Sequence, residues 1–477
     1  MAYCFTVGLE VHAELKTRTK MFCSCRNDPN EKNPNVNICP VCTAHPGALP
    51  VPNKRAIEEV IRVGLALGGE IADFTEFDRK NYFYPDIPKG YQISQYKFPI
   101  VSGGHLLGFD ITRVHLEEDT ATNIHKEDPG KDGAGYSLID FNRAGIPLME
   151  LVTEPRTFPG TEEAAKAAAN FAREYQLLLI YLGASEANME KGEMRVEANI
   201  SISADKKKLG TKVEVKNLNS FRSVERAIKY EFERMAGLLL DQRGDEIVQE
   251  TRGWDEERDT TFSQRRKESS HDYRYFPDPD LPKMKLQEAF DIKKMKKELP
   301  ELPEEKRKRY KKDYGIKDEG IEVYVGNPAL ALWFEEIAAI LKNKDKIKTA
   351  SNYVTTDYLG IANAKPIQAQ NFAELIELLA ENKISSRVAK DILAEMATNG
   401  DISPLKMATE KGLLQQSDET ALKETANKII AGNTKVVADY KAGKQAALQS
   451  LIGIMMKETK GSANPVLARE ILIKLLK

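Results

Sequence analysis

Glu10, His12 and Glu14 occupy alternate positions in the run Phe5 to Leu15, where apolar and polar residues alternate as they do in a β-strand. Side chains two residues apart on a strand leave the same face, so this spacing sets an imidazole between two carboxylates. Such a row suits a hard divalent cation that takes oxygen donors and one nitrogen. The same pattern also describes the solvated polar face of an edge strand, so the row needs partners from elsewhere in the chain.

A second metal-prone pattern follows at once. Cys23-x-Cys25 and Cys39-x2-Cys42 flank a loop rich in Asn, Asp and Pro. Two close cysteine pairs across a short loop form a structural zinc pattern. Two disulfides would use the same residues, but a chain with five cysteines in 477 residues has little need of them. A closed four-thiolate site has no open position, so its chemistry is structural. Cys4 is left over, and nothing marks it as a nucleophile.

Three further segments are dense in reactive groups. Glu117-Glu118-Asp119 ends a strand-like run beginning at Arg113. Acids packed so closely repel unless something neutralises them. On a period of two, Glu117 falls with Arg113 and His115, whereas Glu118 falls with Val114 and Leu116. In Asp140 to Pro155, Gly145 and Pro147 set a turn, and Glu150 sits in an apolar run. A carboxylate buried there requires a metal or an arginine, and a structural pair with Arg143 is the plainer reading. Cations and aromatics mix in Asp78 to Asp86 (Arg79, Lys80, Tyr82), Tyr91 to Tyr96 and Asp272 to Pro277. Each suits a nucleotide base and its phosphates, or simply an aromatic packing corner. No Gly-rich phosphate loop and no G-x-S-x-G nucleophile is present. Metal, carboxylates and cationic clamps together fit phosphoryl transfer.

The elements that must position these groups are legible in outline. Thr161 to Leu182 reads as a helix closed by Gly183. Met194 to Ile202 reads as a strand with Met194, Val196, Ala198, Ile200 and Ile202 on one face and Arg195, Glu197 and Asn199 on the other. A second strand repeats the design with Val213 and Val215 inward and Lys212, Glu214 and Lys216 outward, giving a hairpin with one charged face. Asn217 to Ser220 caps a following helix.

After Pro282 the aromatics thin and Lys/Glu helices take over. Three domains are expected, at 1–292, 293–404 and 405–477. The last carries 12 Lys and Arg against 7 Asp and Glu, a bias that fits phosphate contact or a solvated helical face. The net charge of −2 excludes a global attraction for nucleic acid. No apolar run is long enough to span a bilayer. The chain opens directly on a strand-like run, so a cytoplasmic location is expected.

Taken together, Gly8 to His12, Phe77 to Asp86, Tyr91 to Gln95, Glu117 to Asp119, Asp140 to Pro155, Lys216 to Phe221, Asp272 to Pro277 and Gly461 to Pro465 resemble one family. It is the GatB family, the B subunits of glutamyl-tRNA(Gln)/aspartyl-tRNA(Asn) amidotransferases. The resemblance spans essentially the whole chain, and the block Asp140 to Pro155 looks like the family signature.

It implies an α+β fold. A cradle-shaped, largely antiparallel sheet with outer helices, similar to glutamine synthetase and guanido kinases, would be followed by a helical domain and a small helical tail that hold tRNA. It implies ATP- and Mg²⁺-dependent phosphorylation of the side-chain carboxylate of Glu or Asp misacylated onto tRNA. Ammonia from a partner amidase subunit then displaces phosphate, in a heterotrimer with a small C subunit. By motif, His12, Glu118 and Glu150 resemble the magnesium ligands, with Glu10 and Lys80 beside them. Tyr82, Arg79, Arg195, Glu197, Asn199, Lys212, Glu214 and Lys216 become nucleotide and phosphate contacts. Cys23, Cys25, Cys39 and Cys42 match the family's zinc knuckle. A stand-alone ATP-dependent carboxylate–amine ligase for a small molecule would use the same constellation, but would need no basic helical tail.

Overall fold

The computed structural model describes residues 3–127, 135–205, 208–266, 273–400, 402–415, 419–459, 463 and 465–476. Asp272, Gly461, Ser462 and Asn464, which belong to the motifs named above, lie outside the described residues. The chain divides into two compact units, Met1–Pro303 and Glu304–Lys477.

The first unit is built on one eleven-stranded sheet. Its main strands are β1 (Cys4–Glu14), β2 (Phe109–Glu118), β3 (Pro147–Thr153), β4 (Met194–Ser203), β5 (Val213–Leu218), β6 (Glu250–Asp255) and β7 (Thr260–Arg266). The order across the sheet is β7-β6-β5-β4-β1-β3-β2, and short strands at Val101–Ser102 and Glu70–Ile71 complete that edge. Only β5 and β6 run parallel among these seven.

Helices α1 (Lys54–Ala66), α2 (Thr161–Leu182) and α3 (Phe221–Leu240) pack on one face of the sheet. Their apolar stripes meet the inward strand residues in a continuous core that includes Val7, Leu9, Val11, Leu151, Val196, Ala198, Phe171 and Phe232. The hairpin, both long helices and the Ser220 cap fall where periodicity places them. Ser220 accepts the Ser223 amide at 3.0 Å, and Gly183 closes α2 at φ 66°. With apolar residues committed to the helical side, the alternate positions of β1 to β5 form a polar face on the opposite side.

The first unit extends past the expected boundary at 292. Helix Ile292–Lys297 turns Ile292 and Met295 onto the first core, and Leu299 and Leu302 follow. Composition alone misses this because the exposed side of that helix is entirely lysine. Every regular element described in the second unit is a helix. Tyr310, Tyr324 and Phe334 pack ring on ring in it, with Tyr324 and Phe334 stacked at 4.4 Å. Its last helices close a small core of their own around Leu422, Leu451, Met455 and Leu472. No described helix is long and apolar enough to cross a membrane.

Candidate active site

Strand register assembles the polar face. His12 on β1 lies opposite Glu150 on β3, and Glu150 lies opposite His115 on β2. On the other flank of β1, His12 pairs with Arg195 and Glu10 with Glu197, while Asn199 on β4 meets Glu214 on β5. Residues far apart in the chain therefore converge on one row across five neighbouring strands.

The first concentration of charge is His12, Glu117 and Glu150, whose donor atoms all lie within 4.8 Å of one another. His12 Nε2 is 3.5 Å from Glu150 Oε2, and His115 Nε2 is 3.2 Å from the same oxygen. Burial works against every charge here, yet the opposite charges outweigh it. Glu150 is held well below the usual carboxylate range by His115 and His12. Glu117 is lowered by Lys80 and His115. Burial alone would depress His12, but its hydrogen bond to Glu150 and the surrounding carboxylates raise it to about 9. Lys80, half-buried against the Tyr273 ring at 5.1 Å, is driven upward by Glu117, Tyr275 and Glu150 despite its desolvation.

Glu118 is not in this cluster, contrary to the motif-based expectation; Glu117 takes the place. No bulge interrupts β2 at this point: the only register shift against β3 is at Val152/Thr153. Alternation therefore sends Glu117 to the polar face and Glu118 to the other side. Glu118 accepts the Ile93 amide at 2.9 Å and pairs with Lys89. Glu117 instead accepts from Gln92 at 3.1 Å and Ser94 at 2.7 Å, both from strand Tyr91–Ser94.

A second acidic group, Glu10, Glu197 and Glu214, lies further along the row, its oxygens also within 4.8 Å of one another. Lys216 Nζ is 2.8 Å from Glu197 and 3.5 Å from Glu214, and Asn199 donates to Glu10 at 2.7 Å. Burial together with Glu150 and Glu197 raises Glu10.

The remaining expected contacts are distributed differently. Arg195 is engaged by Asp119 at 3.1 Å. Arg143 binds Asp119 at 2.7 Å and Glu14 at 2.6 Å, so the structural partner of Arg143 is not Glu150. Glu14 thus belongs to an ion-pair network at the end of the row, where burial raises it to about 7 despite Arg143. Arg79 is turned away from Lys80 by strand alternation. It bridges Asp278 at 2.8 Å and Asp280 at 2.9 Å and lies 4.3 Å over Tyr91. Tyr82 packs against Tyr273 near Lys80. Lys212 is exposed and precedes β5.

His115 joins the cluster without a motif of its own, and its alternation with Glu117 is the sequence signal for it. Lys89, the partner of Glu118, follows a Pro-containing turn and carries no periodic signature.

Cys23, Cys25, Cys39 and Cys42 bring their sulfurs within 4.8 Å of one another. Cys42 Sγ is 3.8 Å from Cys39 Sγ and 4.0 Å from Cys25 Sγ. A tetrahedral zinc with bonds of about 2.3 Å separates its sulfurs by about 3.8 Å, so the set fits that ion. The Cys23 thiol donating to Cys42 draws the latter down to about 5, while burial pushes Cys25 up to about 12. The knuckle loop is anchored independently of the sulfurs, because Asn142 Oδ1 accepts the Val36 and Asn37 amides at 2.9 and 2.8 Å. Cys42 and Glu118 line a common cavity of about 180 Å³ with Lys89, Tyr91 and Gly145.

A sheet whose charged face gathers carboxylates, imidazoles and lysines defines a class, and the comparisons with known proteins specify it. The family described as the GatB/GatE catalytic domain matches residues 5–291, and the family described as the GatB domain matches residues 333–476. The chain is 44% identical to the B subunit of the aspartyl/glutamyl-tRNA(Asn/Gln) amidotransferase of Thermotoga petrophila, over 100% of this chain and 99% of the relative. It is 41% identical to the corresponding B subunit of Thermodesulfovibrio yellowstonii, over 100% of both chains. The chain belongs to the GatB family.

Proposed function

We propose that this chain is the kinase and transamidase subunit of a tRNA-dependent amidotransferase, a ligase that converts misacylated Glu-tRNA(Gln) or Asp-tRNA(Asn) to the glutaminyl or asparaginyl form. The observation that carries the reading is the pairing of His12, Glu117 and Glu150 with the neighbouring Glu10, Glu197 and Glu214 on one polar sheet face. Two hard-donor groups along one row, each with a lysine beside it, fit a nucleotide triphosphate handled with divalent cations. The sheet with its three outer helices is in keeping with the cradle architecture of glutamine synthetase and guanido kinases.

The donor set of the first group, two carboxylates and one imidazole, fits Mg²⁺. Bound there, Mg²⁺ and ATP supply charge neutralisation and the phosphoryl group. Lys80 offers a fixed ammonium beside Glu117 for a migrating phosphate. Lys216 serves the second group in the same way. The substrate carboxylate oxygen forms a bond to the γ-phosphorus as the bond to ADP breaks. Ammonia then forms the C–N bond as phosphate leaves. The ammonia comes from an amidase subunit, in a heterotrimer with a small C subunit. The thiolate-ready knuckle fits structural zinc, and the lysine-biased tail contacts tRNA phosphates. A cytoplasmic location follows from this role in translation.

The test is a transamidation assay of the copurified complex with each misacylated tRNA and γ-labelled ATP. Product that depends on tRNA, ATP and the amidase is expected. Robust amidation of free glutamate without tRNA would refute the reading in favour of a small-molecule ligase.

A further inference from the structure

His115 has no task in the scheme above, yet it is among the most enclosed polar groups in the molecule, at 2% exposure. It stands directly across from Glu150 and two residues before Glu117 on the same face. Its Nε2 is 3.2 Å from Glu150 Oε2 and 3.5 Å from Glu117 Oε1. Its other ring nitrogen, Nδ1, is buried with no hydrogen-bond partner among the described residues. The ring is therefore oriented through Nε2 alone, by the two carboxylates it touches.

Glu150 lies between two imidazoles, one on each neighbouring strand, and the two differ in access. The His12 side chain is 16% exposed and the His115 side chain 2%. His12 opens onto the polar face, while His115 lies behind the carboxylates. A ligand to a cation needs a lone pair aimed at open space. A group that holds ligands in place needs an N–H aimed at them and no access of its own.

We propose that His115 is a positioning residue. Its Nε2–H bridges the carboxylates of Glu150 and Glu117 and fixes their separation so that, with His12, they receive a divalent cation. Two adjacent buried carboxylates repel and splay apart without such a donor. Partners of this kind around metal-ligating carboxylates are worth about 10–100-fold in affinity. The inference rests on the assignment of His12, Glu117 and Glu150 to a cation under the proposed function.

The experiment uses the full-length chain with Mn²⁺ as probe, reading affinity by titration and counting imidazole nitrogens on the ion by pulsed electron paramagnetic resonance. The wild type is expected to show one imidazole, which His12→Ala removes. His115→Leu should keep that signal and weaken Mn²⁺ binding about 10–100-fold. His115→Gln, which retains an N–H donor, should restore most of the affinity. If leucine prevents folding, His115→Asn supplies the contrast, since its shorter amide cannot reach the carboxylates. Wild-type affinity in both His115→Leu and His115→Asn would overturn the proposal. So would loss of an imidazole signal in either, because His115 would then be a ligand. A wild-type chain whose Mn²⁺ signal ignores His12→Ala would instead refute the underlying cation assignment.

Discussion

The cysteine knuckle and the carboxylate cluster each gather donors that could hold a metal ion, and they are assembled in opposite ways. The knuckle is local: four sulfurs within 20 residues, brought together by turns and tied down through Asn142. The cluster is assembled by register, from β1, β2 and β3, with Lys80 from a separate strand. The protons also sit differently. In the knuckle they sit on the ligands, with Cys42 acidic and Cys25 pushed up to about 12. In the cluster the carboxylates are already ionised and the imidazoles carry the protons. Local sites thus hold their geometry through backbone anchors, whereas the assembled site holds it through ion pairs. Removing one charge should therefore damage the second far more than the first.

The largest expected effect follows directly. Glu150→Gln and Glu117→Gln should each lower tRNA-dependent transamidation by about 10²–10³-fold, the scale of losing one preorganised electrostatic group. Glu118→Gln tests the same strand from its other side. It should cost about 3 kcal/mol of stability, because the Lys89 charge is left without its partner, and leave divalent-cation affinity unchanged. Equal loss of cation affinity in Glu117→Gln and Glu118→Gln would erase the distinction that alternation draws between them.

Next in size is the knuckle. Cys42→Ser or chelation should lower the melting temperature by about 5–10 °C, at about 2–4 °C per kcal/mol for a domain of this size. Cooperative unfolding should survive, because the Asn142 anchors remain. Calorimetry with and without chelator, followed by a divalent-cation titration, separates the two regions. A chelated protein that also loses cation binding at the carboxylates would show them to be one unit.

How far the sequence discloses each region follows the same division. Cysteine spacing contains the knuckle entirely, since the ligands are close in the chain. For the cluster, period-two alternation identifies the polar face of each strand, and it favours Glu117 where motif matching favoured Glu118. Alternation is silent about which strands are neighbours. The juxtaposition of His12 with Glu150, and of Glu150 with His115, exists only once β3 is inserted between β1 and β2. Arg79 shows the converse failure: it reads as a phosphate clamp beside Lys80, but a pair of aspartates about two hundred residues away holds it. The first compact unit runs on to Pro303, past the change of composition near 292, because the partly buried Ile292 and Met295 of helix Ile292–Lys297 pack on its core while composition registers only that helix's lysines.

A smaller effect concerns pH. His12 is raised to about 9 from an ordinary value near 6.5. Its ion pair therefore stabilises the cation-free chain fully below about pH 6.5 and is lost as pH rises through 9. A cation that uses the His12 lone pair must displace that proton. Affinity for Mg²⁺ or Mn²⁺ should then rise about tenfold per unit between pH 7 and 9 and level off above. Calorimetric titrations at three pH values measure the slope, and a flat profile would remove His12 from the ligand set.

The smallest effects separate two lysines four residues apart. Lys216 is held between Glu197 and Glu214, and burial fails to lower it because those carboxylates more than compensate. Lys216→Ala leaves three carboxylates facing one another, so the KM for ATP should rise about tenfold, the scale of one lost partly buried charge contact. Lys212 has the sequence signature of the same charged face, but it is exposed and precedes the strand that would aim it. Lys212→Ala should change stability by no more than about 0.5 kcal/mol and leave the KM for ATP unaltered. Equal effects from both substitutions would mean that general positive charge near the hairpin suffices. Unequal effects would locate the phosphate contact at the one lysine that the acidic row holds in place.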